Sequence, residues 1–351
     1  MTPQLALRTA LTLALAFAAA SLCLWLRLPL PWMLGPLVSV AIVSMLGAQT
    51  QSLAPLRNTG QLVIGTALGL YFTPQIMALL ATVWWAIVLG ILWALALGWL
   101  FGLWLHRGLS ARMPGTEREK RATSYFAGGI GGASEMTLLA EREGGRTDLV
   151  ASAHSLRILT VTVLIPFAFT WLDLHGADTG FPGPRHLDLT GLAMLLGAAG
   201  VGAWLLERTG RANPWFMGAL VVSMVLTMAG LELSAIPGWM SNAAQLVIGV
   251  SLGVRFRAEF VHTAPRWLAW VLAGTVAMVV VSAVFGWLLS LGMGMHPATL
   301  ILGTSPGGIA EMAITAKVLQ LGVPVVTAFQ VCRLLAVLVL VEPLYRRLYL
   351  R

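Results

Sequence analysis

Charge is what this sequence lacks most: only 10% of its 351 residues are Asp, Glu, Lys or Arg, where a soluble domain carries roughly 25%. A chain so poor in charge has too little polar surface to cover itself in water. Cysteine is scarce as well. The two present, Cys23 and Cys332, both fall inside apolar runs, so neither a disulfide framework nor a zinc site is indicated. The six histidines show no metal-ligand spacing, and nothing calls for a metal or another cofactor. Long soluble segments are also missing. The net charge of +8 could suggest nucleic acid, but the basic residues are scattered over short loops, and no segment is long enough for a DNA-reading module. Positive loops on the cytoplasmic side account for the surplus.

What is abundant is apolar sequence, with 58% of residues hydrophobic. Runs of about 18 to 30 apolar residues recur along the chain, and about 20 span the hydrocarbon of a bilayer. Backbone facing lipid must satisfy its own hydrogen bonds, which leaves helices or a closed barrel; continuous rather than alternating runs select helices. The chain therefore reads as an all-α polytopic membrane protein with the lipid bilayer as its partner. Leu5 to Leu26 could pass for a signal peptide with Arg8 as its charged start. The second half has a counterpart at Leu187 to Leu206, so the segment is expected to be a retained first span.

The chain repeats itself. Pro31-Trp32-Met33-Leu34-Gly35 recurs as Pro214-Trp215-Phe216-Met217-Gly218, and the string from Gln61 to Gly65 returns unchanged from Gln245 to Gly249. Gly131-Gly132-Ala133-Ser134-Glu135-Met136 is answered by Gly307-Gly308-Ile309-Ala310-Glu311-Met312, and Arg157 by Arg333, each arginine 22 residues after its glutamate. Blocks in the same order at nearly equal offsets mark a tandem duplication. It assigns residues 1–172 to a first membrane repeat, 187–351 to a second, and 173–186 to an extracytoplasmic linker.

The basic loops give orientation. The first half is basic around Arg107, Arg112, Arg118, Lys120 and Arg121, whereas the equivalent loop of the second half, Leu291 to Pro297, has no Lys or Arg. Conversely, Arg255, Arg257 and Arg266 mark a loop whose first-half counterpart, Tyr71 to Gln75, has none. Equivalent loops are thus expected on opposite sides, making the repeats inverted. Six apolar segments can be counted in each half, but inversion needs an odd number of crossings. The Gly-rich fifth segment, about Ala122 to Ala140 and Thr299 to Ala316, is the natural one to be re-entrant or broken. About ten transmembrane helices and two such segments result, in the bacterial inner membrane with N and C termini cytoplasmic. Arg8, Arg57, Arg142, Arg146, Arg208, Arg211, Arg346, Arg347 and Arg351 then fall inside with the basic loops, and Arg27, Arg185 and Lys317 outside.

The Gly-rich segments carry the strongest functional signal. Gly131, Gly132, Pro306, Gly307 and Gly308 should interrupt a helix, because glycine weakens one and proline removes a backbone donor. Broken backbone at membrane depth is tolerated where it is buried in protein or lines a wet cavity. Ser305 with Pro306 reads as a cap and first-turn pair for a half-helix, and half-helix ends place free N–H groups at transporter ligands. Close helix packing through small residues is the alternative. It does not account for a glutamate at the same place in both segments. Glu135 and Glu311 would be proton or cation coupling groups, or members of fixed pairs with Arg157 and Arg333; the arginines could instead bind an anionic substrate. Ser134 and Ser305 stand beside these groups. Gln61 and Gln245 could coordinate a solute, cap broken backbone, or bond between helices. Trp32 and Trp215 read as interface anchors. His154 is unmatched in the repeat, where Gln330 stands, and Glu342 is placed to reach Arg346 or water.

On these duplicated blocks the chain resembles the AbrB family of bacterial membrane proteins, over nearly its whole length. That family is distinct from the small soluble transition-state regulator of the same name. Its members carry labels ranging from ammonia monooxygenase to transport protein to regulator of gene expression, so the resemblance implies a family and not an activity. A monooxygenase would need copper or iron ligands, and no His, Cys or carboxylate cluster offers them. Direct transcriptional control would need a soluble DNA-binding domain. The residues point to a secondary transporter, not an enzyme, with a midplane site between inverted repeats and a small molecule or ion as substrate. A membrane sensor that affects gene expression through a partner or a signal metabolite is the alternative. A homo-oligomer is compatible with either.

Overall fold

Proline and glycine punctuate the helices. The computed structural model describes residues 3–110, 115–176, 186–210, 213–256 and 265–349; Arg112, Arg185, Arg211, Arg257, Arg351 and most of the proposed linker lie outside them. The described residues form fifteen helices and no strand. In the first half these are α1 (Pro3–Trp25), α2 (Pro31–Met45), α3 (Ala54–Gly69), α4 (Pro74–Thr82), α5 (Trp84–Leu109), α6 (Glu117–Gly128), α7 (Ala133–Arg142) and α8 (Thr147–Trp171). The second half contributes α9 (Leu189–Glu207), α10 (Pro214–Met228), α11 (Gly238–Gly253), α12 (Pro265–Met293), α13 (Pro297–Thr304), α14 (Ile309–Val318) and α15 (Val323–Tyr349).

The duplication is visible in local geometry. Pro31 and Pro214 each open a helix, where the missing N–H costs nothing. The residues before them, Leu30 and Asn213, both adopt left-handed backbone, with φ of 48° and 46°. Proline disfavours the right-handed region at the preceding position, and both repeats resolve that conflict in the same way.

Among the described residues, six helices (α1, α5, α8, α9, α12 and α15) are long and apolar enough to cross a bilayer. The protein is a polytopic α-helical membrane protein. The remaining four of the ten expected segments are shorter: α2 and α10 have 15 residues, and α3 and α11 have 16. At 1.5 Å per residue they reach about 22–24 Å, less than the hydrocarbon thickness of about 30 Å. The α3–α4 pair bends by 81° across its break.

Two compact units cut across the duplication. The first comprises residues 1–81, 166–259 and 313–324; the second comprises 82–165, 260–312 and 325–351. Within the first, α3 packs on α10 and α11, α2 packs on α11, and α1 and α9 flank α2 and α10. The contacts are reciprocal. A β-carbon at Gly65 would collide with the backbone carbonyl of Phe216, and one at Gly249 would lie 2.6 Å from that of Met33. Each repeated Gln-Leu-Val-Ile-Gly block thus seats its last glycine on the Pro-Trp helix of the other repeat, with backbones as close as membrane helices allow.

Within the second unit, α6 lies against α5 where Gly128 meets Gly98 and Gly102, and α13 lies against α12 where Gly286 meets the backbone of Ile301. Phe126, Met136, Ala153 and Tyr345 are among the buried side chains that fill its core.

Candidate functional site at two broken helices

Both Gly-rich segments are interrupted helices. In the first, Thr116 caps α6 by accepting from the Glu119 amide at 3.2 Å, a Thr-x-x-Glu start. The helix stops at Gly128 and resumes at Ala133, with Gly132 as an extended N-cap residue (φ −68°, ψ 141°). In the second, α13 stops at Thr304 and α14 resumes at Ile309. None of the glycines in either break has positive φ, so their role is size. A β-carbon at Gly131 would sit 2.8 Å from Met136 Cε, and one at Gly307 would sit 2.8 Å from Met312 Cε. At Gly132 and Gly308 it would run into the carboxylates of Glu135 and Glu311.

Each motif position therefore has a physical reason. The methionine, fully buried in both repeats, folds over the first glycine. The glutamate, three residues into the half-helix, folds back over the second. An acid in the first turn complements the positive end of a helix, a role for Glu135 and Glu311 distinct from the ion coupling expected from the sequence. Glu311 is buried, Glu135 half-buried, and Ser134 exposed.

The arginines face elsewhere. Arg333 donates from Nη1 to the Ser305 carbonyl at 2.6 Å and from Nη2 to the Gly307 carbonyl at 2.8 Å. Arg157 spreads Nη1 over the carbonyls of Ala127 and Gly128, both at 3.4 Å, and places Nη2 2.8 Å from His154 Nδ1. A helix broken in mid-course leaves its last carbonyls without amide partners, and these guanidiniums supply the donors. The fixed Glu–Arg pairs considered from the sequence are not formed: the side-chain bonds of both arginines go to backbone carbonyls and to His154. Reaching the carbonyls places Arg157 at the end of α6 and Arg333 across the second break, on Ser305 at the end of α13 and on Gly307 just before α14, whereas each glutamate belongs to the first turn of the second half-helix.

His154 and Gln330 complete the arrangement. His154 Nε2 lies 2.9 Å from the Phe126 carbonyl, a pattern that, with Nδ1 accepting from Arg157, fits the neutral Nε2–H tautomer. Gln330 Nε2 donates to the carbonyls of Leu302 at 2.8 Å, Gly303 at 3.2 Å and Ser305 at 3.2 Å. The two side chains stand at equivalent positions, three residues before their arginines, and do the same work with different chemistry. In the sequence this pair stands out only as a mismatch between the repeats; its equivalence lies in shared donor capacity.

Ser305 and Pro306 are corrected by the structure. They end the first half-helix and do not begin the second: Ser305 is the C-cap residue of α13, its hydroxyl bonds back to the Leu302 carbonyl at 2.9 Å, and it also meets Met312 Sδ at 3.1 Å. Proline cannot continue a helix, and it commonly follows a C-cap. Gln61, half-buried in α3, and Gln245, buried in α11, belong to the first compact unit, whereas the glutamates, serines, arginines and broken-helix glycines belong to the second.

A family model described as "Transition state regulatory protein AbrB" matches residues 32–349. The chain belongs to the AbrB family. It is 24% identical over 348 positions to "Uncharacterized protein YhjN" of Bacillus subtilis (strain 168), covering 91% of this chain and 87% of that one. It is 27% identical over 318 positions to "Putative regulator AbrB" of Escherichia coli (strain K12), covering 89% and 88%.

One further ionic cluster of this AbrB-family chain escaped the sequence. Glu143, buried just after α7, accepts from Arg346 Nε at 2.9 Å and pairs with Arg118 at 3.5 Å. Arg346 also bonds Glu342 at 2.7 Å, the partner expected for Glu342. The only hint at Glu143 was an acid beside the glycine pair that ends α7. In the same unit a small cavity of about 10 Å³, room for roughly one water, lies against Gly129 and Ile130 of the first break.

Proposed function

We propose that this AbrB-family chain is a secondary transporter of a small solute, coupled to an ion, and not an enzyme. One observation carries the reading: a broken helix from each repeat, with a glutamate in the first turn of its second half and a buried arginine holding carbonyls at the break. Such breaks are costly in a bilayer and recur where transporters bind substrate near the midplane. No nucleotide-binding motif is present in the sequence, so the driving force would be an ion gradient or the solute's own. The setting is the bacterial inner membrane, with inverted repeats and both termini cytoplasmic. Cysteines introduced at Arg112 and Arg257 should then both react with a membrane-impermeant thiol reagent only after the cells are permeabilised; labels reporting opposite sides of the membrane at the two positions would remove the inverted threading.

Purified protein in liposomes should move at least one solute from a panel of organic anions, amines, amino acids and inorganic ions under an imposed pH gradient. The Glu135→Gln/Glu311→Gln double variant should lose that flux or its pH dependence. If flux and pH response both survive, the glutamates are first-turn helix caps and not coupling groups.

A second reading rests on the name of the Escherichia coli relative. If this chain too acts in regulation, it would do so as a membrane sensor through a partner protein. Folded protein that moves nothing, while the double variant changes what is captured with it, would favour that reading.

A further inference from the structure

The geometry points to an oxyanion site at Arg157 and Arg333, which makes the transported solute, on the transporter reading, a small molecule bearing a carboxylate, sulfate or phosphate group. Both arginines are almost fully buried, at 2% and 5% exposure. Burying a cation is expensive unless it is paired, yet neither has a carboxylate within ion-pair distance among the described residues. The positive charge of Arg157 adds to the cost of burying Arg333. Their backbone partners answer only part of the charge: the end of a helix presents roughly half a negative charge, against a full positive charge on each arginine.

The donors are answered only in part as well. A guanidinium carries five N–H groups in a planar fork. Arg333 spends its Nη groups on Ser305 and Gly307, and Arg157 on Ala127, Gly128 and His154. In both, Nε is buried and has no partner. The Nε edge is one of the two forks that receive a carboxylate or phosphate with paired hydrogen bonds. Two buried cations, each with an unused donor edge, lack the same thing: an anion with several acceptor oxygens. The half-helices α7 and α14 begin within a few residues of the carbonyls that the arginines hold, and the carboxylates of Glu135 and Glu311 fold over their first turns. At the arginine Nε edges a cationic solute would meet charges of its own sign.

The test is binding to detergent-solubilised protein, followed by thermal unfolding and titration calorimetry at constant ionic strength. The probes are acetate, succinate, sulfate and phosphate, with methylamine and choline as cationic counterparts. At least one oxyanion should raise the unfolding midpoint saturably, and neither amine should. Arg333→Lys and Arg157→Lys keep the charge and lose the Nε edge, and each should weaken that binding about tenfold or more, as loss of a charge-assisted hydrogen bond predicts. The inference is overturned if no oxyanion shifts the wild-type protein, if an amine does so instead, or if the shift is undiminished in both variants. The wild-type arm decides even if a variant does not fold. Flux in liposomes separates this inference from the transporter reading: an oxyanion that binds and is never moved leaves the site and removes transport, while flux of an amine without oxyanion binding does the reverse.

Discussion

Arg333→Gln should lower the stability of the detergent-solubilised protein by about 2–3 kcal/mol, and Arg157→Gln should cost less. Hydrogen bonds to a charged donor contribute about 1.5–3 kcal/mol each. Arg333 makes two short ones, at 2.6 and 2.8 Å, to the Ser305 and Gly307 carbonyls. Removing the guanidinium orphans the buried Gly307 carbonyl and leaves that of Ser305 with only the longer Gln330 bond, at 3.2 Å. Part of that loss is returned, because a desolvated cation disappears too; the expected cost therefore sits below the sum of two bonds. Arg157 contacts its carbonyls at 3.4 Å, and His154 holds the Phe126 carbonyl independently at 2.9 Å. Its loss should leave α6 better supported. Thermal and denaturant unfolding of the two variants side by side is the measurement. A silent Arg333→Gln, or a costlier Arg157→Gln, would mean that the carbonyls are satisfied some other way.

The second large effect is expected in the other compact unit. Gly65→Ala and Gly249→Ala should each destabilise by about 1–3 kcal/mol, the usual range for overpacking, while Gly197→Ala should be close to neutral. A side chain that meets another side chain can turn aside, but backbone cannot. At Gly65 the new methyl would press on the carbonyl of Phe216, and at Gly249 on that of Met33, so α3 must part from α10 and α11 from α2. Gly197 on α9 has nothing within 4 Å of the same position. Because the two contacts are reciprocal, the two substitutions should cost similar amounts, and a large inequality would count against the equivalence of the repeats in this unit. Unfolding midpoints of the three variants under one condition are sufficient.

Much of this was legible in the residues. The duplicated blocks located both breaks to within a few residues: the segments expected at about Ala122–Ala140 and Thr299–Ala316 contain the interruptions after Gly128 and Thr304. They were legible because glycine and proline act on the helix that contains them, and local backbone preference is written in local sequence. The membrane class was legible for a similar reason, since transfer of a long apolar run into hydrocarbon depends on composition alone. The glutamates and arginines stood out as charges in apolar surroundings.

Their partners did not. Opposite charges in each repeat suggested Glu–Arg pairs, but the arginines bond to carbonyls that a broken helix exposes, and a sequence does not display unsatisfied carbonyls. His154 and Gln330 share a task without sharing a residue type, so identity between repeats could not reveal it. Ser305-Pro306 carries the chemistry of a helix start and of a helix end alike, and only the course of the chain distinguishes them.

The sequence by itself determined a duplicated, helical membrane protein of the AbrB family, the two interruptions in its helices, and the charged groups near them, because each follows from short-range chemistry or from transfer into lipid. Only the tertiary structure decided that the compact units take helices from both repeats, that the paired glutamines lie in one unit and the charged groups in the other, and that the arginines serve the broken backbone. Those outcomes turn on which surfaces can approach closely enough to bury one another. In this chain that approach is set by glycines such as Gly65 and Gly249, whose partners lie far away along the chain.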